Sequence, residues 1–207
     1  ANGTVFDRFY VATPVCQPNR STLITGRMPS LHGVRSNGIA LDMRASTFPE
    51  TMRQCGYKTA LVGKSHVQNM TGFPPMHTRP DTKEGYASVR DTIPEAFTSD
   101  PNGNYHQEHP DTWASGKPYS LELPFYGFDH VDLCTEHSDH VGGQYYVWFK
   151  EQRSDADDLR DRGNQLDHDY VCPQAYRTSI PEKFYPTSYI KQKTIEFLDQ
   201  YQQKEVE

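Results

Sequence analysis

The segment from Cys16 to Arg27 constrains the local fold more than any other part of the 207-residue sequence. Pro18 favours the first turn of a helix, where its missing N–H costs nothing, and Gly26 can adopt the left-handed conformation that ends one. The sequence therefore predicts a short helix with Cys16 at its N-terminus. Unpaired backbone N–H groups attract anions there, and Arg20, one turn further on, adds a forked cationic donor. The pattern indicates an oxyanion site beside a potential nucleophile.

A second pattern predicts a helix, a strand and a polar loop in succession. Residues 47–56 begin with a capping threonine and an early proline and end in glycine, and residues 57–62 form an apolar run. Lys64 and His66 follow this predicted strand directly. Because alternate residues of an extended chain point to the same side, we expect these two side chains to converge. The carboxyl end of a strand is also where open α/β sheets bind ligands.

Both patterns are similar to motifs of the type I sulfatases. The signature of that family reads Cys or Ser, any residue, Pro, usually Ser, Arg and, after a short gap, Thr-Gly-Arg. The matching residues are Cys16, Pro18, Arg20, Thr25, Gly26 and Arg27. Residues 63–66, Gly-Lys-Ser-His, resemble the Gly-Lys-Trp-His segment of the same family, with Ser65 in place of the common tryptophan. The resemblance implies an α/β, alkaline-phosphatase-like fold with a mostly parallel central sheet flanked by helices.

The resemblance also implies a chemistry, that of a sulfuric ester hydrolase. In this family the cysteine is oxidised to Cα-formylglycine, whose hydrated aldehyde attacks the sulfur of a sulfate ester; Cys16 holds that position. Arg20 and Lys64 would then stabilise the nucleophile and the developing charge, and Lys64 and His66 would contact the sulfate. His66 would hold or shuttle a proton on the formylglycine hydroxyls. The implied substrate is a small-molecule or carbohydrate sulfate ester, and the implied metal is Ca²⁺ or another divalent cation, with modified Cys16 as one ligand.

The family's other metal ligands have no counterpart in residues 1–207, so we expect this chain to be part of a sulfatase catalytic domain. The first strand with its Asp pair and the later Asp with Asn or His are the expected missing parts. A hard cation needs about six oxygen ligands, so we expect the isolated chain to be inactive. Within residues 129–140, His137 and His140 offer a substitute pair, but Gly142 and Gly143 disfavour the helix that such a zinc site needs. We interpret this segment as a polar loop.

Several alternatives stay open at this point. Cys16 could be an inert apolar residue, or an unmodified thiolate nucleophile that lacks an adjacent base. A phosphonate or phosphate ester hydrolase of the same superfamily would share the nucleophile and the scaffold. A non-catalytic fragment or binding module is the alternative from another class of protein. The sequence leaves localisation open between periplasmic or secreted and cytoplasmic, and it leaves the oligomeric state open.

Composition sets looser bounds on the whole chain. A formal net charge of -6 does not indicate nucleic-acid binding, and no stretch is long and apolar enough to span a membrane. A hydrophobic content of 35% and a mean hydropathy of -0.81 predict a thin core. We expect residues 67–128 to form long loops, which either shape a substrate mouth or cover the surface. Residues 144–150 predict an aromatic packing helix, and residues 155–161 a solvated, mixed-charge face.

Overall fold

A computed structural model describes residues 3–75, 83–86, 100–173 and 175–204 of the chain. Its helices and strands are numbered here in chain order among these residues. They are α1 Cys16–Thr25, α2 Pro29–His32, α3 Phe48–Gln54, β1 Ala60–Gly63, α4 Pro110–Trp113, β2 His130–Thr135, β3 Gly142–Gly143, α5 Gln144–Gln152, α6 Ala156–Arg160 and α7 Pro186–Lys204. Short 3₁₀ turns cover Ser138–His140, Arg162–Asn164 and Glu182–Phe184.

The sheet of the described residues has three strands in the order β1-β2-β3. β1 and β2 are parallel, with Ala60 opposite His130 and Gly63 opposite Leu133. β3 pairs with the end of β2 in the antiparallel direction through the two glycines at 142 and 143. The α/β class expected from the sequence is confirmed, and the sheet seen here is small and mixed.

Helix α1 has the predicted bounds for the predicted reasons. Cys16 is its first residue, and Val15 before it is extended and offers no side-chain cap. Gly26 ends the helix in the left-handed conformation at φ 66°, and its N–H donates to the Thr22 carbonyl at 2.8 Å. The sequence therefore determined both ends of the helix that carries Cys16.

Helix α3 is also where the sequence places it, and β1 is shorter than predicted. The Thr47 hydroxyl accepts the Glu50 N–H and so caps α3. The predicted strand over residues 57–62 is formed only over Ala60–Gly63. Cys55 and Gly56 make the turn out of the helix, residues 57–59 are irregular, and the Thr59 hydroxyl donates to the Gly127 carbonyl at 2.7 Å. β1 thus begins where the chain reaches its partner β2.

β2 contradicts the interpretation of residues 129–140 as a polar loop. Val131 and Leu133 project into one core cluster and Cys134 into another, so both faces of this strand are covered. The intervening Asp132 accepts a hydrogen bond from the Tyr189 hydroxyl at 3.3 Å. β2 is the central strand of the sheet, and it was not predicted because Asp132, whose partner Tyr189 is distant in the sequence, interrupts its apolar residues.

The first core cluster lies on the α1 side of the sheet. Its buried members are Val34, Leu41, Val67, Trp113, Phe125, Tyr126, Val131, Leu133 and Val147. Much of it comes from the segment 67–128, which was expected to form loops. In its described part that segment is irregular apart from α4, and Trp113 is buried. Residues 76–82 and 87–99 lie outside the described residues.

The second core cluster lies between α5 and α7 and confirms the aromatic packing helix. We call Tyr145, Trp148, Phe149, Phe184 and Tyr189 the aromatic cluster. Tyr145 stacks on Phe149 with ring centroids 5.7 Å apart and meets Tyr189 edge-on at 5.6 Å. Helix α7 packs against β1 and β2. Its Phe197 ring lies 4.9 Å from the ring of His130.

Residues 155–161 are not simply a solvated charged face. Ala156 of α6 is buried, and the Arg160 guanidinium donates to the Asp139 and Val141 carbonyls at 2.9 and 3.0 Å. The same guanidinium lies 4.1 Å from the centroid of the Tyr146 ring. Arg160 therefore ties α6 to the turn that follows β2.

Among the described residues, no helix combines the length and apolar character needed to cross a bilayer. All four cysteines of the chain lie in the described part, and each is an unpaired thiol.

Candidate active site

The candidate site is built around Cys16 at the first turn of α1. The Cys16 side chain is half-buried, and its sulfur lies 3.5 Å from Oδ1 of Asn37. The same Asn37 oxygen accepts the backbone N–H of Gln17 at 3.2 Å. Asn37 thus supplies from another loop the capping acceptor that Val15 cannot offer. The helix end and the cysteine are fixed by one amide side chain.

Gln17 fastens this helix end to the surrounding loops. Its side chain is fully buried and donates to the carbonyls of Ile39 and Val67 at 2.7 and 3.3 Å. Its amide oxygen accepts the Gly38 N–H at 2.7 Å. All the hydrogen-bonding atoms of the Gln17 amide are therefore directed at backbone of the two loops that border the site.

Arg20 joins the cysteine helix to the loop after β1. Its guanidinium Nη1 donates to the Lys64 carbonyl at 2.7 Å. Guanidinium carries five N–H donors, so this bond leaves further donors for an anion. The structure thus brings Arg20 and Lys64 together, although 43 residues separate them in the sequence.

The Lys64 ammonium is partly buried and points along the end of β2. Its Nζ lies 3.3 Å from the Glu136 carbonyl oxygen and 3.0 Å from Nε2 of His137. Burial lowers the pKa of Lys64, whereas the negative charge of a Cys16 thiolate acts in the opposite direction and Arg20 lowers it further. The lysine is therefore a poorly solvated cation within electrostatic reach of Cys16.

The side chain of His66 is almost fully buried. Only 1% of its surface is exposed, and neither ring nitrogen has a hydrogen-bond partner among the described residues. Burial lowers the pKa of His66 to about 3, and the positive charges of Lys64 and Arg20 contribute to that shift. The imidazole is neutral at pH 7, with one nitrogen able to donate and the other able to accept. Buried polar atoms without partners call for an explanation, and a bound ligand is one.

The loop that carries these residues has a left-handed turn at His66. The φ angle of His66 is 52°, which costs a residue other than glycine roughly 1–3 kcal/mol. The expectation that Lys64 and His66 converge through the two-residue repeat of an extended chain is therefore wrong in its geometry. β1 ends at Gly63, before both of them. The turn places His66 inward and leaves Lys64 partly exposed.

A buried carboxylate accounts for this turn. We call residues 64–68 the site loop. Oε1 of Glu108 accepts the Ser65 hydroxyl and the His66 N–H, both at 2.7 Å. Oε2 accepts the N–H groups of Val67 and Gln68 at 2.7 and 2.6 Å. Glu108 is fully buried, and burial raises its pKa while these hydrogen bonds oppose the shift.

His137 lies at the rim of the site beside Lys64, and it does not form the metal-binding pair with His140 that was considered from the sequence. It lies between two residues with left-handed backbone, Glu136 at φ 60° and Ser138 at φ 53°. His140 belongs to a 3₁₀ turn and not to an α-helix shared with His137. Burial lowers the pKa of His137, as do the charges of Lys64 and Arg20. The pair of histidines is therefore not a metal site; His137 faces the lysine.

The described residues do not fit a complete calcium site. No three His, Cys, Asp or Glu side chains in this part of the chain stand together as ligands for a metal ion. The role of Cys16 as a metal ligand after modification thus stays a prediction, and we assign no step to a metal ion.

Some members of the site could be found from the sequence and others could not. Cys16, Arg20, Lys64 and His66 all lie in one region, as predicted. Asn37, Glu108 and the contact of His137 with Lys64 were missed, since each acts on a partner at least 20 residues away in the chain. Contacts between residues so far apart leave no local motif in the sequence.

The comparisons with known proteins all indicate the same family. The family model described as Sulfatase matches residues 1–204. N-acetylgalactosamine-6-sulfatase of Homo sapiens is 29% identical over 89 residues, covering 37% of this chain and 17% of that protein. Arylsulfatase G of Mus musculus is 34% identical over 80 residues, covering 36% and 15%. The sulfatase YdeN of Escherichia coli (strain K12) is 39% identical over 75 residues, covering 35% and 13%. The chain matches less than a fifth of the length of each of these relatives.

Proposed function

This chain belongs to the sulfatase family, and we propose that it provides the nucleophile end of an active site that hydrolyses sulfate esters. The observation that carries the proposal is the hydrogen bond from Arg20 to the Lys64 carbonyl, which joins the helix of Cys16 to the site loop. Arg20, Lys64 and the neutral ring of His66, which has no hydrogen-bond partner among the described residues, thereby lie in one region near the N-terminus of α1. This arrangement suits a tetrahedral anion.

Cys16 is the residue we assign as the nucleophile, in its formylglycine form. When present, the hydrated aldehyde supplies the oxygen that attacks sulfur while the bond from sulfur to the alcohol oxygen breaks. The first-turn position of Cys16 supports this assignment, because the helix N-terminus favours negative charge on the attacking oxygen. Asn37, which now contacts the Cys16 sulfur, would hold the group at position 16 in place.

Arg20 and Lys64 bind and polarise the anion. The guanidinium keeps one N–H on the Lys64 carbonyl and offers others to sulfate oxygens. The Lys64 ammonium is partly desolvated, so its attraction for charge that develops in the transition state is stronger than it would be in water. Both cations are in place before substrate binds, which avoids a reorganisation cost.

His66 holds a proton at the nucleophile. Its ring is neutral because burial, Lys64 and Arg20 lower its pKa to about 3. One nitrogen can accept a hydrogen bond from a hydroxyl at position 16, and the other can donate to a sulfate oxygen. A bound anion offsets the charges of Lys64 and Arg20, so substrate binding raises the basicity of His66 when a proton must move.

The test uses the full-length product of the natural gene, made together with a formylglycine-generating enzyme. We expect mass spectrometry to find an aldehyde in place of the thiol at Cys16 and none at the exposed Cys55. We expect hydrolysis of an aryl sulfate, with kcat/KM at least about 10³-fold lower in Cys16→Ala and unchanged in Cys55→Ala.

Parallel assays separate the alternatives. An aryl phosphonate and an aryl phosphate are tested beside the sulfate ester, and we expect the sulfate to give the highest kcat/KM. A higher value for either phosphorus ester would replace the sulfate assignment. Full sulfate turnover in Cys16→Ala would remove Cys16 from the reaction.

A further inference from the structure

We propose that Glu108 is a positioning residue, whose buried carboxylate holds the site loop in the conformation that presents Lys64 and His66. The inference rests on the proposed function, because positioning affects a rate only if these two residues act on a substrate. Glu108 itself touches neither the Lys64 ammonium nor the His66 ring in the described contacts. Its four hydrogen bonds act on the two residues through backbone, and its negative charge also opposes the lowering of the Lys64 pKa from a distance.

The first support is the number and kind of contacts. The two carboxylate oxygens of Glu108 accept four hydrogen bonds between 2.6 and 2.7 Å, all from the consecutive residues 65–68. Three of these donors are backbone N–H groups, which can only donate. The ionised carboxylate satisfies all four donors at once. Charge-assisted bonds of this kind are the strong class of hydrogen bond.

The second support is the backbone of His66. Successive N–H groups converge on one anion when left-handed and right-handed residues alternate, which forms a nest. The left-handed φ of 52° at His66 begins such a convergence, and Glu108 is the anion that occupies it. Without the carboxylate, three buried N–H groups lose their acceptor and the strained conformation loses its compensation.

The third support is that the site loop is held from both sides. Arg20 donates to the carbonyl of Lys64 at one end, while Glu108 accepts the N–H groups that follow. Gln68 adds a further link, since its side-chain oxygen accepts the N–H of Gln107 at 2.9 Å. The site loop is therefore fixed in direction before any ligand arrives.

Glu108→Gln is the informative substitution. Each carboxylate oxygen accepts at least one backbone N–H, so an amide NH₂ in either position places a donor against a donor. The substitution keeps the shape of the side chain at position 108, but the N–H groups of residues 66–68 no longer converge on a carboxylate. In the full-length enzyme with an aryl sulfate, we expect kcat to fall about 10- to 100-fold while KM changes less than about threefold, because small misplacements cost rate more than binding.

Two controls separate positioning from general stability. Phe149→Leu, in the aromatic cluster, lowers the melting temperature without touching the site, and we expect its kcat to equal that of the wild type. Ser65→Ala removes one donor and keeps the three backbone contacts, so its loss of kcat should be smaller than that of Glu108→Gln. If Glu108→Gln loses no more activity than Phe149→Leu at an equal loss of melting temperature, Glu108 is merely structural.

A readout independent of activity uses ¹H–¹⁵N NMR on the full-length enzyme, labelled with ¹⁵N at histidine, valine and glutamine. We expect the amide protons of His66, Val67 and Gln68 to resonate far downfield in the wild type and to move upfield in Glu108→Gln. Unchanged amide shifts overturn the inference. A wild-type enzyme that hydrolyses no sulfate ester overturns the proposed function instead, and the amide shifts still decide whether Glu108 holds the site loop. Should Glu108→Gln fail to fold, the wild-type spectrum decides, because ordinary amide shifts at His66, Val67 and Gln68 would overturn the inference.

Discussion

The site loop and the aromatic cluster are held in place by opposite means. Buried polar groups fix the site loop, with Gln17, Glu108 and Gln68 bonded to backbone. The aromatic cluster packs apolar rings between α5 and α7, with Phe149 fully buried. Polar networks specify direction, whereas apolar packing supplies most of the free energy of folding. The chain thus separates the region that orients chemistry from the region that stabilises the fold.

The sharpest way to test this division is to weaken the aromatic cluster. Phe149→Ala should lower the free energy of unfolding by about 3–5 kcal/mol, because it removes a fully buried ring from a packed core. Activity measured well below the melting temperature should stay the same. Urea unfolding followed by circular dichroism checks the first statement. The exposed Leu198→Ala serves as control, with an expected change within about 0.5 kcal/mol. A loss of kcat in the folded Phe149→Ala protein would contradict the division.

The opposite result is expected within the site. Lys64→Ala and His66→Asn should each lower kcat/KM at least about tenfold, since each removes a contact to the substrate anion. Asparagine tolerates the left-handed backbone at position 66, so folding should be preserved. The exposed Lys58→Ala is the matched control for loss of charge. Full activity in both variants, with unchanged circular dichroism and melting, means that Lys64 and His66 do not converge on the substrate.

Gln17 tests whether polar contacts also stabilise the site region. Gln17→Leu keeps the volume but removes the partners of the Gly38 N–H and the Ile39 and Val67 carbonyls. Leaving such buried groups unpaired should cost about 1–3 kcal/mol of unfolding free energy. Equilibrium urea unfolding measures it against Gln54→Leu, whose position is exposed. An equal, small effect in both variants would show that the buried amide contributes little.

The final prediction concerns pH and again separates the two regions. Burial lowers the pKa of His32 to about 4 and that of His66 to about 3. The unfolded chain takes up these protons near pH 6.5, but the folded chain does not until pH 4 to 3. The contribution of these two histidines to stability is therefore complete above about pH 6.5 and falls as pH decreases toward their folded pKa values, by about 1.4 kcal/mol per pH unit for each histidine.

Unfolding free energies between pH 7 and pH 5 check this slope. His66→Asn should reduce the dependence of the unfolding free energy on pH by about 1.4 kcal/mol per pH unit, the contribution of one histidine. Phe149→Leu should lower stability equally at each pH and leave the slope unchanged, because it adds or removes no titrating group. The same slope in the wild type and His66→Asn would mean that His66 is protonated in the folded protein at pH 5.

Local signals explain what the sequence revealed. Pro18 and Gly26 encode the ends of α1, and Thr47 encodes the start of α3, because caps and breakers act within a few residues. The four predicted site residues come from two short motifs of this kind. The α/β class follows from the same motifs through the family resemblance.

Distant partners explain what the sequence did not reveal. β2 appeared polar because Asp132 and His130 interrupt its apolar residues, and their contacts with Tyr189 and Phe197 lie in a helix more than 50 residues away. Glu108 looked like an ordinary loop carboxylate, since its four donors are 40 to 43 residues earlier. The left-handed turn at His66 depends on that carboxylate, so the extended-chain argument placed its side chain wrongly.

The parallel pairing of β1 with β2 also sets the order in which the chain can assemble. Ala60 and His130 are 70 positions apart, and closing a loop of that length costs about 4 kcal/mol of chain entropy. The site loop and Glu108 both lie inside this loop. While the chain is being synthesised, α1 and its partners Asn37, Lys64 and Val67 emerge first, and β2, which completes the sheet, emerges later. The apolar residues of β1 stay uncovered in the meantime, which makes this interval the stage at which aggregation competes with folding.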